Sequence, residues 1–180
     1  MEQNRNTTRD ERMLTGMFAD RETAENAYNT LQDRGYTNDE IDLIMSDKTR
    51  KESFSSDDVG DTEIGTKAAE GAGKGSAIGG TVGAIAGVIA ALGTSVAIPG
   101  LGLVIAGPLA AGLAGAGAGG ITGGVIGALV GSGIPEARAK VYESGIKKGN
   151  IVLGVKPRND EDAEYFQNNW RENRGSEIHW

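Results

Sequence analysis

The run Gly75-Ser76-Ala77-Ile78-Gly79-Gly80-Thr81-Val82-Gly83-Ala84-Ile85-Ala86-Gly87-Val88-Ile89-Ala90 opens a stretch that carries no charged side chain as far as Pro135. Glycine returns in it at every fourth position. One register is Gly71, Gly75, Gly79, Gly83 and Gly87; a second is Gly107, then Ala111 in the glycine slot, then Gly115, Gly119, Gly123, Gly127 and Gly131. Residues four apart share a helix face, so each register predicts a helix with a groove free of side chains along one side. Glycine within a helix costs about 0.8–1.0 kcal/mol per site relative to alanine. A groove of that length calls for a second backbone packed close against it, the small-xxx-small logic of helices that pair in membranes. These twelve positions are the candidate helix-packing interface.

The opposite faces hold the bulk: Ile78, Val82, Ile85, Ile89 and Leu92 in the first segment, then Leu109, Leu113, Ile121, Val125, Ile126, Leu129 and Val130 in the second. Between them Gly93 to Gly100 is a turn-rich break in which Pro99 stops a helix, and Gly107-Pro108 reads as cap and first position of the next one. The expectation is a helical hairpin, 66–92 and 107–132 within a unit spanning 66–134, with glycine faces inward. Arms of ~26 residues measure roughly 39 Å, enough to cross a ~30 Å hydrocarbon core with tilt.

Working outward, residues 1–11 lack periodicity and read as a disordered tail. Met13 to Phe18 is a short strand, and Asp20 caps a helix with Ala24, Ala27, Tyr28 and Leu31 on one face. Gly35 closes that helix, and 41–46 is a second strand in which Ile41, Leu43 and Met45 alternate with outward residues. Residues 47–65 are charged and aperiodic, a linker. Pro135 opens a connecting helix over 135–149, and Ile151-Val152-Leu153-Gly154-Val155 is the strongest strand of the chain. A helix marked by Ala163, Phe166 and Trp170 follows, closed by Gly175, then a last strand at 176–180. Residues 12–46 and 150–180 thus repeat one order, strand–helix–strand. Two such units sharing a sheet make an α+β, ferredoxin-like split βαβ domain with two helices on one face, and the glycine hairpin is inserted between the halves.

Residues 1–74 carry 17 acidic and 10 basic side chains against eight of each in 136–180, for a net charge of −7. An acidic chain without a basic stripe argues against nucleic acid as a partner. There is no cysteine, hence no disulfide or thiolate metal site. The polar start, Met1 to Arg12, has no apolar core of a secretory signal, so an intracellular location is expected.

Ala97-Ile98-Pro99-Gly100, Ile105-Ala106-Gly107-Pro108 and Gly133-Ile134-Pro135-Glu136-Ala137-Arg138-Ala139-Lys140-Val141-Tyr142-Glu143 resemble the bacterial general stress proteins, the group with heat-induced and low-temperature-induced members. Gly16-Met17-Phe18-Ala19-Asp20-Arg21-Glu22-Thr23-Ala24-Glu25 and the Ile151–Val155 strand resemble it too. The resemblance implies expression under stress and supplies no functional residues to carry over.

Chemical motifs are sparse. Glu70-Gly71-Ala72-Gly73-Lys74-Gly75-Ser76 looks superficially like a phosphate-binding loop, but Ala68 stands where its first glycine belongs and no buried strand precedes it. His179 is the single histidine, too few for a zinc site. Asp160, Glu161, Asp162 and Glu164 sit where a helix start favours negative charge, and Asp57, Asp58 and Asp61 lie in the linker. Tyr28, Phe166 and Trp170 at helical spacing read as core. No catalytic residue, metal ligand or cofactor is expected, and the chain is read as a non-enzymatic stress protein. Its hairpin is expected to enter the cytoplasmic membrane with both ends in the cytoplasm, flanked by Lys67, Lys74, Arg138 and Lys140; the alternative is a soluble homo-oligomer in which it serves as the assembly interface. The partners are accordingly membrane lipid or copies of the chain itself.

Overall fold

In Ile151–Val155 both parities are apolar, so both faces of that strand need cover. All five of its residues are buried. The computed structural model describes residues 12–54, 85, 96–98, 102–110, 124–131 and 133–180. In chain order these form β1 (Leu14–Phe18), α1 (Arg21–Asp33), β2 (Ile41–Ser46), α2 (Asp47–Ser53), β3 (Val96–Ile98), β4 (Leu103–Ala106), α3 (Gly124–Gly131), α4 (Glu136–Lys147), β5 (Ile151–Val155), α5 (Asp160–Glu172) and β6 (Ser176–His179). The fold is α+β. Six strands make one antiparallel sheet in the order β3-β4-β2-β5-β1-β6.

The two ends of the chain interleave in that sheet. β5 lies between β1 and β2, with Gly16 and Leu43 both opposite Leu153 and Ile44 opposite Val152. Each flanking helix begins at a side-chain cap. Asp20 accepts from the Thr23 amide at 2.8 Å, and Asn159 accepts from the Asp162 amide at 2.7 Å. Gly35 and Gly149 take the left-handed backbone that ends α1 and α4. After α5 the left-handed residue is Arg174, at φ 63°, rather than Gly175. Gly175 is needed for space, since a Cβ there would lie 2.6 Å from the Trp170 carbonyl oxygen and 3.0 Å from Phe18.

Helices cover both sheet faces, not one. Ala24, Ala27, Tyr28 and Leu31 of α1 join Phe166 and Trp170 of α5 over Leu14, Phe18, Leu43, Leu153 and Val155. On the other face Leu129 of α3 and Ala139, Tyr142 and Ile146 of α4 lie over Met17, Ile44, Ile105 and Val152. The even positions of β2 therefore point inward as well, so Asp42 and Ile44 are buried where outward residues were expected.

Three further expectations are corrected. Residues 47–53 are helical, because Ser46 caps the Thr49 amide at 2.9 Å and Asp47 pairs with Arg50 and Lys51; charge at helical spacing substitutes for an apolar stripe. Residues 55–65, read as linker, lie outside the described residues. The expected break at 93–100 contains strand β3, and β4 extends the sheet on β2 with Leu43 opposite Ala106 and Ser46 opposite Leu103. Leu103-Val104-Ile105-Ala106 is a short run buried at every position, entered through Gly102 in the left-handed conformation. Finally, Ile85, assigned to an outward aliphatic face, is fully buried in the core under α1 and α5.

Trp170 is fully buried edge-on to Phe18, with ring centroids 5.5 Å apart, and a Cβ on Gly16 would meet its ring at 2.7 Å. Gly16→Ala should therefore destabilise the fold by about 1–3 kcal/mol through overpacking, and Trp170→Ala by about 3–5 kcal/mol through cavity formation. Urea denaturation reads both; a neutral Gly16→Ala would show that the ring is not seated on this glycine.

Candidate functional site

Of the twelve glycine-register positions, Gly71, Gly75, Gly79, Gly83, Gly87, Ala111, Gly115, Gly119 and Gly123 lie outside the described residues. The three others separate into two environments. Gly127 and Gly131 lie on α3. Leu129 is buried and Ile126 packs against the same core, whereas Gly127 is half-buried, Val130 is 42 % exposed and a Cβ on Gly131 would meet nothing within 4 Å among the described residues. At 3.6 residues per turn, Gly127 and Gly131 share the side of the helix away from Ile126 and Leu129. The glycine face of α3 thus turns away from the sheet, and the aliphatic face turns toward it.

Gly107 is not on that face. It ends β4 in the left-handed conformation at φ 94°, pressed against the Ile41 carbonyl oxygen and 2.9 Å from Asp42 Cα for a Cβ built there. Any side chain would strike the β2 backbone, so this glycine serves close strand contact and not a helix groove. The helical residues begin after it, at Pro108.

Gly107 belongs instead to a row across the second face of the sheet: Gly107, Asp42, Gly154, Thr15. Asp42 stands opposite Gly154, and Gly154 opposite Thr15. A Cβ on Gly154 would lie 3.2 Å from Asp42 Cβ, so the two glycines leave the space in which the carboxyl sits. Asp42 is 1 % exposed and accepts from the Leu109 amide at 2.7 Å. Burial pushes its carboxyl up to about 7, against the opposing pull of the Leu109 N–H and the positive charge of Lys156. Beyond Gly154, the Tyr142 hydroxyl shares a hydrogen bond with Thr15 at 2.7 Å and donates to the Glu177 carbonyl at 2.8 Å. It holds α4 over β1 and β6.

A second polar cluster closes the first face at the far edge of α1. Asp162 accepts from Arg34 Nη1 at 2.6 Å and from the Tyr36 hydroxyl at 2.8 Å. Tyr36 in turn accepts from the Arg158 amide, and Arg158 reaches Gly35 and Glu40. The acidic start of α5 was read as dipole compensation alone; Asp162 also ties the two halves of the chain together. His179 lies half-buried on β6, and burial lowers its imidazole from the ordinary value. Among the described residues no group of three His, Asp or Glu could hold a metal. Lys74 and Asp57, Asp58 and Asp61 fall outside the described residues. An open groove of about 350 Å³ is lined by Met17, Lys140, Val141, Ser144, Gly145, Lys148 and Asn150, none of whose polar members is buried.

Comparison of the chain with models of protein families, with curated proteins and with solved structures returns no match.

Asp42 gives the fold a pH dependence of definite sign. The unfolded carboxyl ionises near 3.8 and the folded one near 7, so between those values the native state holds a proton that the unfolded chain has lost. Asp42 therefore stabilises fully at low pH, and this is lost as pH rises through 7, by roughly 1.4 kcal/mol per pH unit at most. The depressed His179 works in the opposite sense, its contribution present above 6.5 and lost as pH falls. The difference between wild type and Asp42→Asn isolates the aspartate. That difference should shift against wild type from pH 5 to 7 and level off above, as read by urea midpoints.

Proposed function

We propose that this chain is a non-enzymatic stress protein whose glycine-rich segment joins copies of the same chain. The observation that carries this reading is the orientation of α3: Leu129 and Ile126 face the sheet, and at helical spacing half-buried Gly127 and exposed Gly131 lie on the other side. A helix whose bulky face is spent on its own domain and which carries glycines four apart on the other side offers a second helix close approach. The same arrangement weakens the membrane alternative. Insertion needs the aliphatic faces to meet lipid, and at Ile85, Leu109 and Leu129 they meet the protein's own cores. No helix of the described residues is long and apolar enough to cross a membrane.

The order β2-β5-β1-β6, antiparallel throughout, with α1 and α5 on one face, supports a ferredoxin-like split βαβ domain as the architecture. On this reading β3, β4, α3 and α4 derive from the insertion between the two halves. The stress-protein assignment rests on the sequence resemblance, and nucleic acid is disfavoured by the net charge of −7.

Gly131→Leu separates assembly from folding. A Cβ at this position meets nothing within 4 Å among the described residues, and leaving glycine in a helix gains up to about 0.8–1.0 kcal/mol of propensity. Thermal melting of the dilute protein should hold or rise, while light scattering should show loss of the wild-type oligomer; Gly119→Leu should likewise lose it. A wild type that is monomeric at every concentration, or that floats with phospholipid vesicles, overturns self-assembly.

A further inference from the structure

Among the described residues the Asp42 carboxyl has one hydrogen-bond donor, the Leu109 amide, and it is 1 % exposed. Gly107 and Gly154 flank it on the neighbouring strands with no side chains. Pro108 follows with no N–H to offer. Among the described residues Lys156, beyond the end of β5, is the charged group that acts on it. The turn Gly107–Leu109 contributes no titratable group, and neither do Gly154 and Met13, which meet beside it on β5 and ahead of β1. Thr15, next along the row, is engaged by Tyr142 of α4. A buried carboxylate commonly draws two or three N–H donors to offset its lost hydration; here it has one.

We infer that Asp42 is a proton-operated clasp on the turn that leads from β4 into the glycine-rich segment: protonated, it holds the Gly107–Leu109 turn against β2, and ionised, it loosens that turn. The neutral carboxyl keeps a carbonyl oxygen for the Leu109 N–H at little desolvation cost. The ionised carboxyl regains hydration by letting the turn move away, and Gly107 is the position at which it can move. No other described connection between sheet and glycine-rich segment carries a group that titrates near neutrality. The inference goes beyond self-assembly: the clasp opens or closes whether the segment meets a second copy or not.

Hydrogen exchange on the full chain tests it residue by residue. In wild type the Leu109 amide should exchange faster than its intrinsic pH dependence by about tenfold per pH unit between pH 5 and 7, then level off. Asp42→Asn, which keeps an acceptor and loses the charge, should follow the intrinsic rate, while amides of β5 should change only by the difference in global stability read from urea midpoints. Should that variant not fold, the Asp42 carboxyl carbon resonance of wild type reads the same event and should titrate near pH 7. A carboxyl that titrates below pH 5, or identical Leu109 profiles in the two proteins, refutes the clasp. Loss of oligomer in Gly131→Leu with the Leu109 profile intact separates this device from the assembly interface.

Discussion

The fold depends on three central strands, β1, β5 and β2, being dry on both faces. β5 is buried at each residue, and its neighbours β1 and β2 are buried at all but the last position of β2. Once both faces are covered, any polar group on a central strand loses water and must be answered from within the protein. Thr15 is answered by Tyr142, and Asp162, at the sheet's margin, by Arg34 and Tyr36. Asp42 is answered by a single backbone N–H. Among these three the group with the fewest partners thus lies against the turn that opens the second glycine register.

The same constraint explains several glycines far from any helix groove. Gly16 and Gly175 admit Trp170, Gly145 lies directly on Met17, and Gly107 and Gly154 bracket Asp42. In each case the missing side chain lets two layers or two strands close. Interleaving is the other consequence. Because β5 sits between β1 and β2, neither end of the chain can bury its own strands without the other. Loop-closure entropy grows only as the logarithm of the intervening length, so the long excursion between the ends is compatible with one core. The Arg34–Asp162–Tyr36–Arg158–Glu40 cluster spans the same division at the surface. Of its pairs, Arg34–Asp162 has the more buried carboxylate, and Arg158–Glu40 is exposed enough to add little.

Much of the sheet and its flanking helices was legible in the sequence because the signals there are local. Asp20 and Asn159 start their helices, Gly35 and Gly149 end theirs, and Ile151–Val155 is apolar at both parities. What could not be read were consequences of the second layer. Ile44 breaks the alternation of β2, and that irregularity was the available sign that its other face, with Asp42 on it, is also covered. Leu103–Ala106 continues an uncharged run and offers no boundary of its own, so its pairing with β2 was set by tertiary contact and not by pattern. Gly107 fell into the four-residue register by position while its φ of 94° excludes a right-handed helix there. Glycine spacing shows where side chains are missing, not which surface fills the gap. The facing of α3 supplies that sense only relative to the sheet, with Ile126 and Leu129 on the sheet side and Gly127 and Gly131 on the other.

Association of copies through that glycine face is the central claim, and hydrogen exchange across a concentration series measures it most directly. If the glycine face meets a second copy, amides of Gly127 to Gly131 and of the preceding glycine register should gain protection as concentration rises. Amides of β5, enclosed within each copy, should be equally protected throughout. Protection of the glycine register that is independent of concentration would contradict the account, because that face would then already be covered within a single chain.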